Sequence, residues 1–192
     1  MERVLNAVAR EELSGVNVGQ LTRGKAIIRQ YDAFATDAPF LSLLGPQHAC
    51  IVLVPVDSNT SGHWTALWYN EHENALHFFD SYGFTLDQEI PYSHMEDVKE
   101  RLLQQRIAQF QKESGCSYTV NRYKLQTQQA DDQTCGRHAC CRILFDFLSD
   151  EEYAQMLMNQ KWTPDQIVCC MTFITVDLDG EGQGLVRKLV HA

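Results

Sequence analysis

No apolar run in this chain approaches the roughly 18–20 residues needed to cross a bilayer, so no transmembrane helix is expected. Its first residues lack the charged, apolar and small-residue succession of a secretory signal. No Cys-x-x-Cys pair occurs, which removes the usual signature of structural zinc, and no metal site is expected. The seven cysteines are odd in number and include two adjacent pairs, Cys140-Cys141 and Cys169-Cys170. That pattern does not suit a secreted disulfide framework and implies a reducing compartment during synthesis. Basic runs are also missing. Sixteen Lys and Arg face 25 Asp and Glu, a net charge of −9 that repels nucleic acid. Neither repeats, low-complexity tracts nor a linker divide the 192 residues, and 44% hydrophobic with 21% charged is ordinary globular usage. A single domain, residues 1–192, built on one core is expected.

Against these absences stands one reactive-looking segment, Asp131-Asp132-Gln133-Thr134-Cys135-Gly136-Arg137-His138. After Gly136, apolar side chains recur at Ala139/Cys140, Ile143/Leu144 and Phe147/Leu148, the spacing of one buried helical face. Asp131, Asp132 or Thr134 can cap the first free N–H groups. Cys135 thus falls at the positive end of a helix, where a nucleophilic sulfur is favoured. Gly136 leaves room for a substrate backbone. A small apolar core residue would fit the same position, so the remainder of the chain decides between the two readings.

A nucleophilic thiol needs a base, and the base needs an orienting group. Both occur upstream in a strand–turn–strand pattern: His63–Tyr69, the polar Asn70–Asn74, then Ala75–Asp80. A turn centred on Glu71 and His72 sets His63 opposite Asp80, where a carboxylate can hold the imidazole in one tautomer. Singly, His63 is an ordinary strand-end histidine and Asp80 an ordinary turn former. Together, with Cys135 downstream, they read as a reactive set.

Gly62-His63-Trp64, Phe78-Phe79-Asp80-Ser81-Tyr82-Gly83-Phe84 and Thr134-Cys135-Gly136 resemble the cysteine-protease clan of the adenovirus maturation protease, adenain, which also holds the SUMO-specific proteases. The likeness runs from Ile51 to Phe147, in the order His, acid, Cys. It is strongest to the adenain-like proteases of adenoviruses, virophages and related large DNA viruses. The resemblance implies His63 as general base, Asp80 as orienting acid and Cys135 as nucleophile, with Trp64 packed beside the histidine. Adenain carries Glu at the place of Asp80, whereas the SUMO-specific proteases carry Asp. The family's oxyanion-binding glutamine falls in Leu125–Ala130, with Gln128 ranked first and Gln126 second, and the backbone N–H of Cys135 as the other donor. Adenain uses DNA and a short viral peptide as activators. The acidity of this chain argues against DNA, while Cys116, 19 residues before Cys135, stands where the peptide-bonding cysteine would be. No other cofactor is implied.

The resemblance further implies an endopeptidase that cuts viral capsid or core precursors at glycine-rich sites. It would act as a monomer in the virion or in the cytoplasmic factory of an infected cell, away from membranes. A SUMO or ubiquitin-like isopeptidase and a silent interaction protein of the same fold are the alternatives. The expected fold is α+β: a central, mostly antiparallel sheet flanked by helices, with the Cys135 helix buried at its centre. The elements expected are helices over Leu5–Leu13, Asp37–Leu44, Tyr92–Lys112, Cys135–Leu148, Ser149–Met158 and Thr163–Phe173, and strands over Cys50–Val56, the hairpin and Tyr118–Leu125. Cys140, Cys141, Cys169 and Cys170 are expected in the core. Arg137 and His138 could touch substrate or cap the sheet edge.

Overall fold

The structure is a computed structural model that describes residues 5, 8–10, 13–58, 61–127, 133–158 and 161–172. Residues 6, 7, 11 and 12 of the helix expected over Leu5–Leu13 lie outside these residues, as do Asp131, Asp132 and Gln128.

Among the described residues a five-stranded sheet has the order β1-β2-β3-β4-β5, formed by β1 (Ile27–Gln30), β2 (Ala49–Ser58), β3 (Ser61–Asn70), β4 (Ala75–Phe79) and β5 (Ser117–Val120). The central pairings β2–β3 and β3–β4 are antiparallel, and the outer pairings β1–β2 and β4–β5 are parallel. β1 was not foreseen, because its four residues, Ile-Ile-Arg-Gln, are too short for a periodicity to show.

Both faces of this sheet are covered, which explains why β2 reads as a continuous apolar run rather than an alternation. Ile51, Leu53, Trp64, Ala66, Trp68 and Phe79 share one core with the helix α6 (Cys135–Leu144) and with α7 (Asp150–Met158) and α8 (Pro164–Thr172). Cys50, Val52, Val54, Leu67, Leu76 and Phe78 share a second core with α2 (Phe40–Leu44) and α5 (Leu102–Ser114). Alternate residues of one strand therefore serve two cores. A further helix, α1 (Gly15–Leu21), packs on the α6 side through Val18 and Leu21.

Several element bounds differ from expectation for local reasons. α2 starts at Phe40 rather than Asp37 because Pro39 forces the residues before it out of the helical region. The single helix expected over Tyr92–Lys112 is broken into a 3-10 turn at Ile90–Tyr92, a short α4 (Glu96–Lys99) and α5. Ser93 Oγ donates to Pro55 O, and His94 N–H donates to Val56 O at 2.8 Å, which ties the intervening chain to β2. Arg101 then reverses it with a φ of 60°. Val98, Leu103, Ile107 and Phe110 still reach the core, so the periodicity marked burial correctly across a broken helix. β5 ends at Val120 because Asn121 turns away: its side chain donates to Asp80 O and Tyr123 O. Cys170 is exposed, unlike its three expected core companions.

α6 ends at Leu144, four residues short of expectation. Arg142 explains the break. Its guanidinium is almost fully buried, stacks 4.5 Å above the Trp68 ring, and donates to the carbonyls of Phe145 and Leu148 and to Asp150. It thereby satisfies carbonyls that the helix would otherwise have paired. Removing one partner of a buried ion pair costs about 3–5 kcal/mol. Arg142→Met is therefore expected to lower unfolding free energy by about 3 kcal/mol in urea denaturation, and Arg142→Lys to recover little, since an ammonium cannot make the planar fork. Equal midpoints for wild type and Arg142→Met would contradict this role.

Candidate active site

β3 and β4 pair with Ala66 opposite Phe79 and Asn70 opposite Ala75. The turn is therefore the four residues Glu71–Asn74, centred one position later than expected. Asn70 Oδ1 accepts from His72 N–H and Glu73 N–H, and Asn74 adopts a φ of 48°. Asp80 consequently lies two positions along from the residue directly opposite His63. A shift of two keeps both side chains on one face. The place opposite His63 belongs to Tyr82, whose ring stacks on the imidazole with centroids 5.0 Å apart and planes at 22°.

Asp80 is fully buried just past the end of β4. Its Oδ2 lies 2.5 Å from His63 Nε2. Its Oδ1 accepts from the backbone N–H groups of Tyr82 at 2.7 Å and Phe84 at 3.1 Å. Gly83 allows this tight loop: it has a φ of 74°, and a Cβ there would come 3.0 Å from Arg122 O. With Nε2 engaged, Nδ1 is the other ring nitrogen of His63, and the ring shares the cleft with Cys135, whose thiol acts on its ionisation. Gly62, next to His63, is required by space, since a Cβ would sit 2.1 Å from Val54 O.

The ionisation of this set follows from its surroundings. Burial works against the imidazolium of His63, but the Asp80 carboxylate, its hydrogen bond to the ring and the influence of the Cys135 thiol overcome it and hold the ring well above its ordinary value of 6.5. Burial likewise works against the Asp80 carboxylate, and His63 with the surrounding donors holds it below its ordinary 3.8. By linkage, the His63 contribution to stability is complete below about pH 6.5 and is lost as pH rises through its raised folded value. The Asp80 contribution is complete above about pH 3.8 and is lost as pH falls through its depressed value.

Cys135 opens α6 and remains 9% exposed, at a cleft of about 330 Å³ lined also by His63, Tyr82, Glu89, Gln126 and Gln133. Gln126 is buried, its Oε1 accepting from Ser81 Oγ at 2.6 Å, and its backbone N–H donates to Ser81 O. Of the two glutamines anticipated, Gln126 therefore enters the cleft, whereas Gln128 lies outside the described residues. Trp64 is buried beside this segment, with its Cδ1 3.1 Å from where a Gly136 Cβ would be. The space above Gly136 is filled by Trp64 and Leu13, so its missing side chain admits packing rather than substrate.

Thr134 makes no side-chain cap. Its hydroxyl donates instead to Asp165 Oδ1 at 2.5 Å, the oxygen that His138 Nε2 also meets at 3.0 Å. Asp165 Oδ2 accepts from the N–H and hydroxyl of Thr127, both at 3.0 Å. One carboxylate on α8 thus ties the start of α6 to the segment after Gln126. Arg137 and His138, left open between substrate and structure, are fully buried, with Arg137 donating to Thr172 and His138 facing Asp165. Cys116 is also buried, in the α5-side core.

Tyr82, Glu89, Gln133 and Asp165 carried no separate assignment from the sequence. Asp165 reads locally as a first-turn acid of the helix expected over Thr163–Phe173 and Glu89 carries no local signal, so only their long-range partners reveal them. The ligand atoms of His63, Asp80 and Glu89 lie within 4.8 Å of one another, close enough for a cation, although their mutual hydrogen bonding already accounts for that closeness.

His63 provides a direct check of this electrostatic balance. In Cys135→Ala protein, NMR titration is expected to place its midpoint above 6.5. Asp80→Asn is expected to bring it below 6.5, because burial then acts with little opposition. A midpoint at or below 6.5 with Asp80 intact would contradict the balance.

Comparison with known proteins follows the same lines. The model of the adenovirus endoprotease family matches residues 34–176. The uncharacterized protein V9 of Sputnik virophage is 29% identical over 166 residues, covering 83% of this chain and 93% of the relative. The crystal structure of ASFV pS273R protease superposes with a TM-score of 0.52 at 13% identity, over 85% of this chain and 67% of that one, a likeness of fold. The α+β sheet, the helix that opens on Cys135 and a family match over most of the sequence converge: this chain belongs to the adenovirus endoprotease family of viral cysteine proteases.

Proposed function

We propose that this chain is a cysteine endopeptidase of virion maturation, a single domain over residues 1–192, whose reaction is carried by Cys135, His63 and Asp80. The observation that supports it most is the imidazole of His63, bonded to the buried Asp80 at 2.5 Å through one nitrogen and sharing one cleft with Cys135. A ring whose proton affinity is raised by a fixed carboxylate takes the thiol proton readily and returns it to a leaving amine. Cys135 Sγ attacks the peptide carbonyl, the amine leaves with the His63 proton, and water then releases the acyl group from sulfur. Asp80 keeps the ring in one tautomer throughout.

The tetrahedral oxyanion needs donors placed in advance. The Cys135 backbone N–H at the start of α6 is one. For the other, Gln126 is favoured by its place in the cleft and by the grip of Ser81 on its amide, which reverses the order preferred from spacing alone; Gln128 is the alternative. Family membership implies protein substrates. Capsid or core precursors cut at glycine-rich sites suit a cleft lined by the rings of Tyr82, Phe84 and Tyr92, against which a substrate backbone with small side chains can lie closely. The place of action would be the virion or the infected cell, with the chain monomeric and independent of nucleic acid. A viral peptide activator bonded at Cys116 would first require that buried thiol to be exposed.

Three measurements test the proposal. Cys135→Ala is expected to lose at least about a thousandfold in kcat and all labelling by a peptide-vinyl electrophile. Labelling that survives the substitution would refute the enzyme reading. Gln126→Ala is expected to lose about 100–1000-fold in kcat with little change in KM; if Gln128→Ala does so instead, the oxyanion role moves there. Cleavage of a peptide library with no turnover of SUMO- or ubiquitin-amidomethylcoumarin is the expected specificity, and rapid turnover of either would favour an isopeptidase.

A further inference from the structure

Glu89 ends the short helix α3 (Leu86–Glu89), which follows directly on the Asp80–Phe84 turn and is capped by Thr85. Its side chain is 5% exposed and reaches into the cleft beside His63 and Cys135. No N–H or O–H donor from the described residues meets Glu89 Oε1. A Glu89 oxygen lies within 4.8 Å of the Asp80 carboxyl and of the His63 ring, and it is the Asp80 carboxyl with which it shares a hydrogen bond. Two carboxyl groups can share a hydrogen bond only if one of them holds a proton.

The other partners of Asp80 show which one. His63 Nε2, Tyr82 N–H and Phe84 N–H all donate, which suits a carboxylate at residue 80 and leaves the proton on Glu89. A buried carboxylate oxygen that no donor meets is costly, whereas the acid form turns an orphaned acceptor into a donor. Burial, and then the Asp80 charge, push Glu89 up to about 8. The groups facing it are His63 from β3, Asp80 and Tyr82 from the turn after β4, Tyr92 from the 3-10 turn and Cys135 from α6, with Asp87 exposed on its own helix. Only His63 among them favours an ionised Glu89.

We propose that Glu89 is a positioning residue that stays protonated and donates a hydrogen bond to Asp80, fixing the carboxylate that orients His63. This rests on the protease reading of His63, Asp80 and Cys135. It adds a fourth side chain to that set, one that touches no substrate and acts through Asp80. It also gives the site an alkaline limit: once Glu89 ionises, two buried negative charges adjoin and the hydrogen bond between them is lost.

The test combines a carboxyl titration with a pH–rate profile. In 13C-labelled Cys135→Ala protein, one glutamate carboxyl is expected to titrate near pH 8 and to vanish in Cys135→Ala/Glu89→Gln. In the active protein, Glu89→Leu is expected to lower kcat about 10–100-fold at every pH with KM within about threefold. Glu89→Gln keeps an N–H donor for Asp80, so it is expected to recover most of that loss and to lack the alkaline fall near pH 8. The inference is overturned if Glu89 titrates in the ordinary carboxylate range, if Glu89→Leu matches wild type, or if Glu89→Gln is as impaired as Glu89→Leu with the same pH profile. Wild type no more active than Cys135→Ala would instead sink the protease reading, and the carboxyl titration, which needs no turnover, would still decide the state of Glu89.

Discussion

The site hangs on a single buried carboxylate surrounded by donors. Asp80 sits where β4 has run out of ladder partners, so its side chain meets backbone N–H groups and an imidazole rather than a neighbouring strand. Withdrawing that charge from water is costly, and the cost is met only while every donor stays in place. The turn Asp80–Phe84, the start of β3 and the Asn121 brace are therefore held together by one shared requirement. A rigid acid is what a reactive histidine needs.

The sheet supplies the second constraint. Because both of its faces are apolar, α6 is pressed against β3 from one side while α5 closes the other, and neither helix can slide without uncovering a core. The end of α6 is secured by Arg142 between Trp68 and Tyr153. Its start is secured by Asp165, which joins Thr127, Thr134 and His138. Cys135 thus belongs to a helix fixed at both ends, and the approach of sulfur to imidazole comes from packing rather than from a flexible loop.

The sequence showed much of this, and the parts it hid have a common cause. The apolar period after Cys135 located α6, and two β-prone runs around a polar turn located the hairpin, because both signals are local. The hairpin centre was one residue off, since Asn70 and Asn74 build a four-residue turn that the composition of Asn70–Asn74 does not distinguish from a tighter one. The parity survived that error, which is why His63 and Asp80 still meet. The break at Arg101 left no local mark, because the apolar spacing continued through it. Asp165 and Glu89 stayed hidden for a related reason. Neither carries a local mark of its role, and each takes it from partners that only the fold brings near.

One modest bond has a wider meaning. Ser81 Oγ holds Gln126, and Ser81 O receives the N–H groups of Leu125 and Gln126, so two points 45 positions apart in the chain are stitched side by side. Everything between them is an excursion that leaves and returns at one spot. Insertions in its exposed turns would cost little at that base, because loop closure grows only slowly in cost with loop size, provided that Leu103, Ile107 and Phe110 keep their places in the core. The length of the exposed turns in this segment is thus uncoupled from the geometry at Ser81 and Gln126, which stay side by side whatever those turns do.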